Sequence, residues 1–407
     1  MTSEEVRVHR HRPKDRRAQI AATSAAAFAE LGYHQVSITD IGARLGITSA
    51  ALYRHYPSKY AIFAAELFRL AEVTVAAVTL PPQAQQWTPQ QRLGHALEAI
   101  VAGTIANRPT VALARREARY LDPPDRATLD DRFATATAML SELVAGVRPE
   151  LSARECGVRV IAMFSAVSSI GDHRVGLSAK SISALLDSLC WAIVETDLPE
   201  PESISDRPGT EVASPLKHEL MLRQAIHLFY ERGYANVSVE DIVLAADLQS
   251  ASALYRYFRS KGDLLTTAFH RVTDRMVAII GPTIAESSCP AEALSKIVTY
   301  YASEALTERE LAYVYYAEAG HLPVDERTPV RTVRRLIVDQ WAALLIAARD
   351  ELSPAEAHIL VHAALGLVVD FGRVYGDDEK LCPQRWVIWL MQIALFWESP
   401  ARWHKLP

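Results

Sequence analysis

Apolar residues recur at every third or fourth position along this chain, in long blocks. The blocks cover 19–31, 61–75, 93–105, 132–147, 158–170 and 182–194, and they return at matching places in the second half. That spacing draws one apolar stripe down a helix of 3.6 residues per turn. No stretch alternates cleanly between apolar and polar, as a half-buried strand would. Pro and Gly mostly fall between the blocks. The pattern predicts an all-α chain.

The blocks form two sets. The stretch LGYHQVSITDIGARLGITSAALYRHYPSK (31–59) returns as RGYANVSVEDIVLAADLQSASALYRYFRSK (232–261). Gly32-Tyr33 aligns with Gly233-Tyr234, and Ser58-Lys59 with Ser260-Lys261. The offset is 201 residues before the middle of the motif and 202 after it. RREARYLD from Arg115 aligns with YAEAGHLP from Tyr316, and 152–171 with 353–372, both at 201. Solenoid repeats have periods of about 20–50 residues, so this is a duplication of whole domains. The segment 197–215 is rich in Pro, Ser and acid, lacks an apolar period, and reads as a linker.

Within the repeated motif, Thr39 precedes DIGARL and can cap a helix. Gly46 allows a sharp turn. Thr48 caps a second short helix, SAALYRHY, with Ile41, Leu45, Ile47 and Leu52 locking the pair together. Helix, glycine turn, helix is the arrangement whose second helix enters a DNA major groove. The residues opening that helix (Thr48, Ser49, Ala50, Ala51) are small, so its backbone can approach base edges. Tyr53, Arg54, His55 and Lys59 place donors at the flanks, where phosphates lie. Methyl contacts are expected at the bases, with Arg44 the one candidate for reaching one. Ahead of the motif, VRVHRHRPKDRR carries Arg7, Arg10, Arg12, Lys14, Arg16 and Arg17 against one Asp15. Such a basic arm can follow phosphates or enter the minor groove.

Composition narrows the setting. The 407 residues carry a net charge of −5, so basicity is local rather than general. Cys156, Cys190, Cys289 and Cys382 are scattered without a CxxC pair, as expected of reduced thiols in a cytoplasmic protein. The charged N-terminus does not look like a signal peptide. The most apolar run, 386–397, is too short to span a bilayer. No membrane partner is expected.

The motif resembles the DNA-binding domain of the tetracycline-repressor (TetR) family. That pattern has Gly-Tyr or Gly-Phe, T-x-x-x-I-A, a Gly-Val-Ser turn, and L-Y-x-H-F ending in S-K. The matching residues are Gly32-Tyr33, Thr39, Ile41, Gly46-Ile47-Thr48, Leu52-Tyr53, His55-Tyr56 and Ser58-Lys59. The resemblance implies phosphate contacts from Thr39, Tyr53, His55 and Lys59, and base contacts from Thr48 to Ala51. It also implies helical regulatory domains behind each motif and a small-molecule effector. Double-length members of the family are associated with lipid or sterol metabolism. The chain is expected to divide into a basic arm (1–12), a first helix-turn-helix domain (13–60) and its helical domain (61–198). A linker (199–214), a second helix-turn-helix domain (215–262) and a second helical domain (263–400) follow.

The second motif departs from the pattern. Asp247 replaces the turn glycine, one extra residue intervenes, and Tyr257 replaces the histidine. Gln249, Ser250, Ser252, Tyr255, Arg256 and Lys261 are its candidate contacts. It either reads DNA differently or serves as a structural partner. An intramolecular pseudo-dimer is expected, monomeric as a chain, on an operator without matched halves.

Residues 71–200 hold five aromatics and 271–407 thirteen. That makes the second half the expected home of an apolar effector, around Tyr301, Tyr313, Tyr316, Trp341, His362, Phe371 and Trp389. Ordinary core is the competing reading of these rings. His358 and His362 share a helical face, but no further ligand completes a metal shell, so no metal is expected. Asp370, in an apolar run, must face a pocket or a basic partner. No nucleophile elbow, phosphate loop or dinucleotide fingerprint is present, so an enzyme is not expected. A ligand-responsive repressor is the leading reading. The alternative is a helical interaction or ligand-sensing protein that no longer reads DNA.

Overall fold

The computed structural model describes residues 16–200, 216–248, 250–376, 378 and 380–397. Arg10, Arg12, Lys14, Gln249 and most of the linker lie outside them. The described residues form eighteen α-helices and no strand.

The first half contributes α1 (Arg16–Leu31), α2 (Ile38–Leu45), α3 (Ser49–Tyr53), α4 (Lys59–Val78), α5 (Pro89–Ala106), α6 (Arg108–Glu117), α7 (Pro123–Val147), α8 (Ala153–Ser168) and α9 (Ala179–Glu195). The second half repeats the order. It contributes α10 (Lys217–Arg232), α11 (Val239–Ala245), α12 (Ala251–Tyr255), α13 (Lys261–Ala285), α14 (Pro290–Thr307), α15 (Arg309–Ala317), α16 (Val324–Ala348), α17 (Pro354–Tyr375) and α18 (Gln384–Phe396).

Local chemistry repeats with the order. Ser152 and Glu155 form a capping box on α8, and Ser353 and Glu356 form the same box on α17. Arg148 Nη1 donates to Val194 O at 2.9 Å, and Arg349 Nη1 donates to Leu395 O at 2.9 Å. Both arginines tie the end of one helix to the end of the last helix in their half.

Each half has a small core around its first helices. Ile20, Phe28, Ile41, Leu52, Ile62, Phe63 and Leu67 fill the first. Met221, Phe229, Ile242, Leu254, Leu264 and Phe269 fill the second. Helix α4 runs unbroken through the expected boundary at 60, so its first turns belong to the motif and its last to the body.

The bodies share one core. A single apolar cluster includes Val160, Met163 and Val167 of α8, Leu189 and Ile193 of α9, and Leu360, Leu367 and Leu390 of α17 and α18. Helix α8 packs on α17, and α9 on α18. Burying a Leu, Ile or Val side chain contributes about 1.5–3 kcal/mol, so this shared face is a large part of the cohesion between the halves. Helix α17 is long and apolar enough to cross a bilayer, but its apolar window is mostly buried in this core. The first half's exit is strapped to the second half's last helix: Trp386 Nε1 donates to Pro199 O at 2.8 Å and Trp389 Nε1 to Asp197 O at 3.0 Å.

Candidate nucleic-acid interface

The first motif is built around Ser37, not Thr39. Ser37 Oγ accepts from Asp40 N at 3.1 Å, and the Asp40 carboxylate accepts from Ser37 N at 2.8 Å. This reciprocal box fixes the start of α2. Thr39 lies inside the helix and is exposed. Its hydroxyl is therefore not engaged in the cap. Ser37 also holds the threonine position of the T-x-x-x-I-A pattern.

Gly46 ends α2 at φ +64°, a left-handed conformation that favours glycine. Ile47 N then donates to Gly42 O at 3.0 Å. A Cβ at Gly42 would come within 2.7 Å of Ile47 O, so α2 and the turn sit backbone against backbone. Thr48 caps α3, its Oγ1 accepting from Ala51 N at 3.3 Å. Leu52 anchors α3 in the core with no exposed surface.

The rest of α3 faces outward. Thr48, Ala50, Tyr53 and Arg54 are exposed, and Ser49, Ala51 and His55 are half-buried. Tyr53 is 54% exposed, unusual for a ring of that size in a folded core. Small residues at the opening and donors at the flanks thus share one solvent-facing surface. Nearby, Arg17 lies over the Tyr56 ring at 4.8 Å, and Arg16 Nη1 donates to Gln19 Oε1 at 3.4 Å.

Two basic residues have other uses. Lys59 Nζ donates to Tyr33 O and Val36 O, both at 3.0 Å, and sits 4.4 Å from the Tyr33 ring centre. Partial burial lowers its pKa. It braces the loop before α2 instead of projecting toward phosphate. Arg44 Nη1 pairs with Glu30 at 3.0 Å, which draws it back toward α1.

The second motif keeps the turn at a cost. Asp247 adopts φ +53°, and Leu248 N donates to Val243 O at 3.0 Å, matching the first copy. The extra residue falls after the turn, at Gln249, and does not bulge the described turn itself. Ser250 takes the cap position but makes no side-chain cap bond; its Oγ lies 2.7 Å from Ser252 Oγ. Ser250, Ser252, Tyr255, Arg256 and Tyr257 are exposed. Lys261 Nζ donates to Tyr234 O at 2.9 Å and Val237 O at 2.7 Å, repeating the role of Lys59. Two further positions differ between the copies. Thr39 corresponds to Glu240, and Ala43 to Leu244, which is 81% exposed. Both the carboxylate and the bare leucine are exposed.

A cavity of about 320 Å³ lies in the first half. Leu70, Ile100, Val111, Leu129, Phe133 and Phe164 give it apolar walls. Arg115, Ser165 and Ser168 form its polar end together with Asp370 and Arg373 of α17. None of the seven residues expected around an effector lines it. Trp341 is fully buried with Tyr301 edge-on at 5.6 Å, and Phe371 stacks on Tyr375 at 5.5 Å. Tyr313 is buried, and Trp389 lies on the linker strap. His362 stacks on His173 at 4.6 Å, and His358 Nε2 meets Asp339 at 2.9 Å. Large rings fill space. The cavity forms where Ala77, Ala99, Gly103, Ala114 and Ala118 leave it empty.

The polar end of the cavity is also a contact between halves. Arg115 Nη1 pairs with Asp370 at 2.6 Å and Arg115 Nε with Asp172 at 3.1 Å. Ser165 Oγ donates to Asp370 at 2.6 Å. Arg115 also donates to Ser168 Oγ. Asp370 thus has both the basic partner and the cavity position that its burial demands. Below it, Arg119 stands 2.8 Å from the fully buried Glu318, which also accepts from Tyr234 N at 2.7 Å. Burial opposes the Glu318 charge, yet His321 and Arg119 hold its pKa below the usual range. Gly233 (φ +75°) lies so close to Tyr120 that a Cβ would come within 2.4 Å of the ring. These contacts bring the base of the second motif against the first half.

The tetR family model of bacterial regulatory proteins matches residues 20–65 and 221–268. The HTH-type transcriptional activator FasR of Mycolicibacterium smegmatis is 34% identical over 90 residues, 21% of this chain and 40% of the relative. The match therefore spans less than half of that relative's length. Among solved structures, a TetR-family transcriptional regulator from Bordetella parapertussis is 22% identical. It covers 44% of this chain and 93% of its own, with a TM-score of 0.41. The ketosteroid transcriptional regulator KstR2 of Mycobacterium tuberculosis is 21% identical over 44% of this chain and 94% of its own, with a TM-score of 0.37. With the family domain matched once in each half, the chain carries two tetR-type helix-turn-helix domains in tandem.

Proposed function

We propose that the chain is a ligand-responsive transcriptional regulator that grips DNA chiefly through its first motif. The exposed face of α3, capped at Thr48 and flanked by Tyr53 and Arg54, carries this reading. Thr48 to Ala51 approach base edges. Thr39, Tyr53, Arg54 and His55 take phosphates, and the basic arm adds Arg10, Arg12 and Lys14. The second motif contributes weaker or altered binding, because Glu240 repels phosphate where Thr39 would attract it.

The two halves act as an intramolecular pseudo-dimer, so one chain occupies an operator whose two half-sites differ. The shared core and the Arg115 cluster support this. The effector is an apolar molecule of the lipid or sterol kind, which suits the cavity walls. Its binding shifts α4, whose first residues support α3 and whose last line the cavity, and it does so to the extent that it favours one state over the other. Repression is the default sign, since a bound chain obstructs a promoter.

The test is to recover bound duplexes from random DNA at two salt concentrations and to measure the mass of the complex. One chain on an unsymmetrical site, with affinity falling steeply in salt, is expected. A chain that retains no duplex at low salt would instead be an interaction or sensing protein.

A further inference from the structure

The repeat sets the cavity beside a region built from different residues. At the 201-residue offset, Ala99, Ile100 and Ala114 correspond to Tyr300, Tyr301 and Tyr315, and Gly103 to Glu304. Between α4 and α13 the offset is 202, which sets Val73 opposite Arg275. In the first half these positions are small or aliphatic and border empty space. Their counterparts are larger side chains with partners of their own. Tyr301 stands edge-on to Trp341, and Tyr315 lies 4.9 Å from Phe269 with the Arg334 guanidinium 4.8 Å above it. Arg275 meets Glu304 at 3.3 Å and Glu308 at 3.1 Å.

We infer that one chain binds one effector, in the first half alone, because Tyr301, Tyr315 and the Arg275–Glu304 pair fill the second half's counterpart of the cavity. This rests on the ligand-responsive reading above and adds its stoichiometry and chemistry. An overpacked site admits no guest without displacing its own side chains. The open site has one end of defined polarity. Arg115 is held there by Asp370, Asp172 and Ser168. Arg373 lies 3.9 Å from Asp370 at the same end and lines the cavity. A cation at the end of an apolar cavity favours an acceptor on its occupant. The occupant is thus an apolar molecule bearing one carboxylate or carbonyl group, its head at Arg373 and its body among Leu70, Ile100 and Phe133. Because Arg373 comes from the second half and the apolar walls from the first, a single molecule touches both. A homodimer with two such cavities can respond cooperatively; a chain with one responds along a simple hyperbola.

The experiment uses the full chain and dodecanoate, a twelve-carbon carboxylate, with native mass spectrometry for stoichiometry and calorimetric titration for affinity. One dodecanoate per chain and a hyperbolic isotherm are expected. Ala114→Tyr, which copies Tyr315, should weaken binding by at least about tenfold by occupying the space. Tyr301→Ile with Tyr315→Ala should raise the stoichiometry from one to two. Melting curves accompany each variant, and Ala99→Leu replaces Ala114→Tyr if the latter unfolds. Two molecules on the unaltered chain, no saturable binding, or undiminished binding by the filled variant would overturn the inference. Duplex binding by the ligand-free chain is measured in parallel. Its loss with one-site dodecanoate binding defeats the regulator reading alone, and two-site binding with intact duplex affinity defeats this inference alone.

Discussion

Arg115 and Tyr316 hold the same position in the two halves, and they hydrogen-bond to each other, Arg115 Nε donating to the Tyr316 oxygen at 2.9 Å. A position that meets its own counterpart lies on the axis relating the two copies. In a pair of identical chains it would face a second arginine or a second tyrosine. Within one chain the two can differ, and the phenol relays the contact by donating to Asp172 at 2.6 Å. Two buried like charges are thereby avoided at the one place where symmetry would have imposed them.

Arg115→Leu should destabilise the chain by about 3–5 kcal/mol, because the buried Asp370 and the half-buried Asp172 would lose their shared cation. Tyr316→Phe removes one hydrogen-bonding group and should cost about 1–2 kcal/mol. Urea unfolding measures both. Equal effects would mean that the phenol hydroxyl, not the charge, holds this contact.

Tyr53→Ala and Lys59→Ala separate reading from bracing. Tyr53→Ala should weaken duplex binding across sequences and lower the salt slope by about one if one phosphate contact is lost, with little change in stability. Lys59→Ala leaves two carbonyls without their donor and should cost about 1–3 kcal/mol. Its salt slope should fall only as far as the first motif unfolds. Melting and duplex titration at two salt concentrations distinguish the pair.

Glu240→Thr, which copies Thr39 into the second motif, should increase duplex affinity at low salt by removing a like charge from the outward face. Asp247→Gly should stabilise the second motif by about 1 kcal/mol by relieving its left-handed backbone. Filter binding reads the first, and thermal unfolding the second. No gain from Glu240→Thr would place that face away from DNA.

Acid should loosen the contact between halves. Burial lowers the pKa of His173 to about 3 and that of His362 to about 4. The unfolded chain takes up these protons first as pH falls from the ordinary imidazole value of about 6.5. The stability they contribute is complete above about 6.5 and is lost progressively as pH falls toward 4 and then 3. Melting temperature followed from pH 7 to 4 checks this. His362→Phe keeps a ring on His173 and should flatten the profile.

The reading motif was legible because its signals are local. A left-handed glycine, a capping hydroxyl and a buried Leu52 each act within a few residues. Thr39 was mistaken for the cap because either hydroxyl precedes the apolar run, and only the reciprocal bond from Asp40 singles out Ser37. Lys59 misled for the opposite reason: its partners, Tyr33 O and Val36 O, lie more than twenty residues back and are backbone atoms. Helix α6 buries Arg115 and Glu117 beside Val111 and Leu113, and Arg115's carboxylate partner Asp370 lies in the other half, beyond the reach of a local pattern. The aromatic count pointed to the second half, while the described cavity lies in the first, because rings record where space has been filled. Empty space was recorded by Ala99, Gly103 and Ala114, residues that a search for ligand-binding side chains passes over.

The α8–α17 face constrains how each copy can drift. A change to Met163 or Leu367 is felt at once by the opposite copy, so the packed helices must alter in step. The heads on α3 and α12 answer to no such neighbour. One is free to stay fixed on its target while the other wanders, and a single gene can keep a rigid body while trying new addresses with half of its grip.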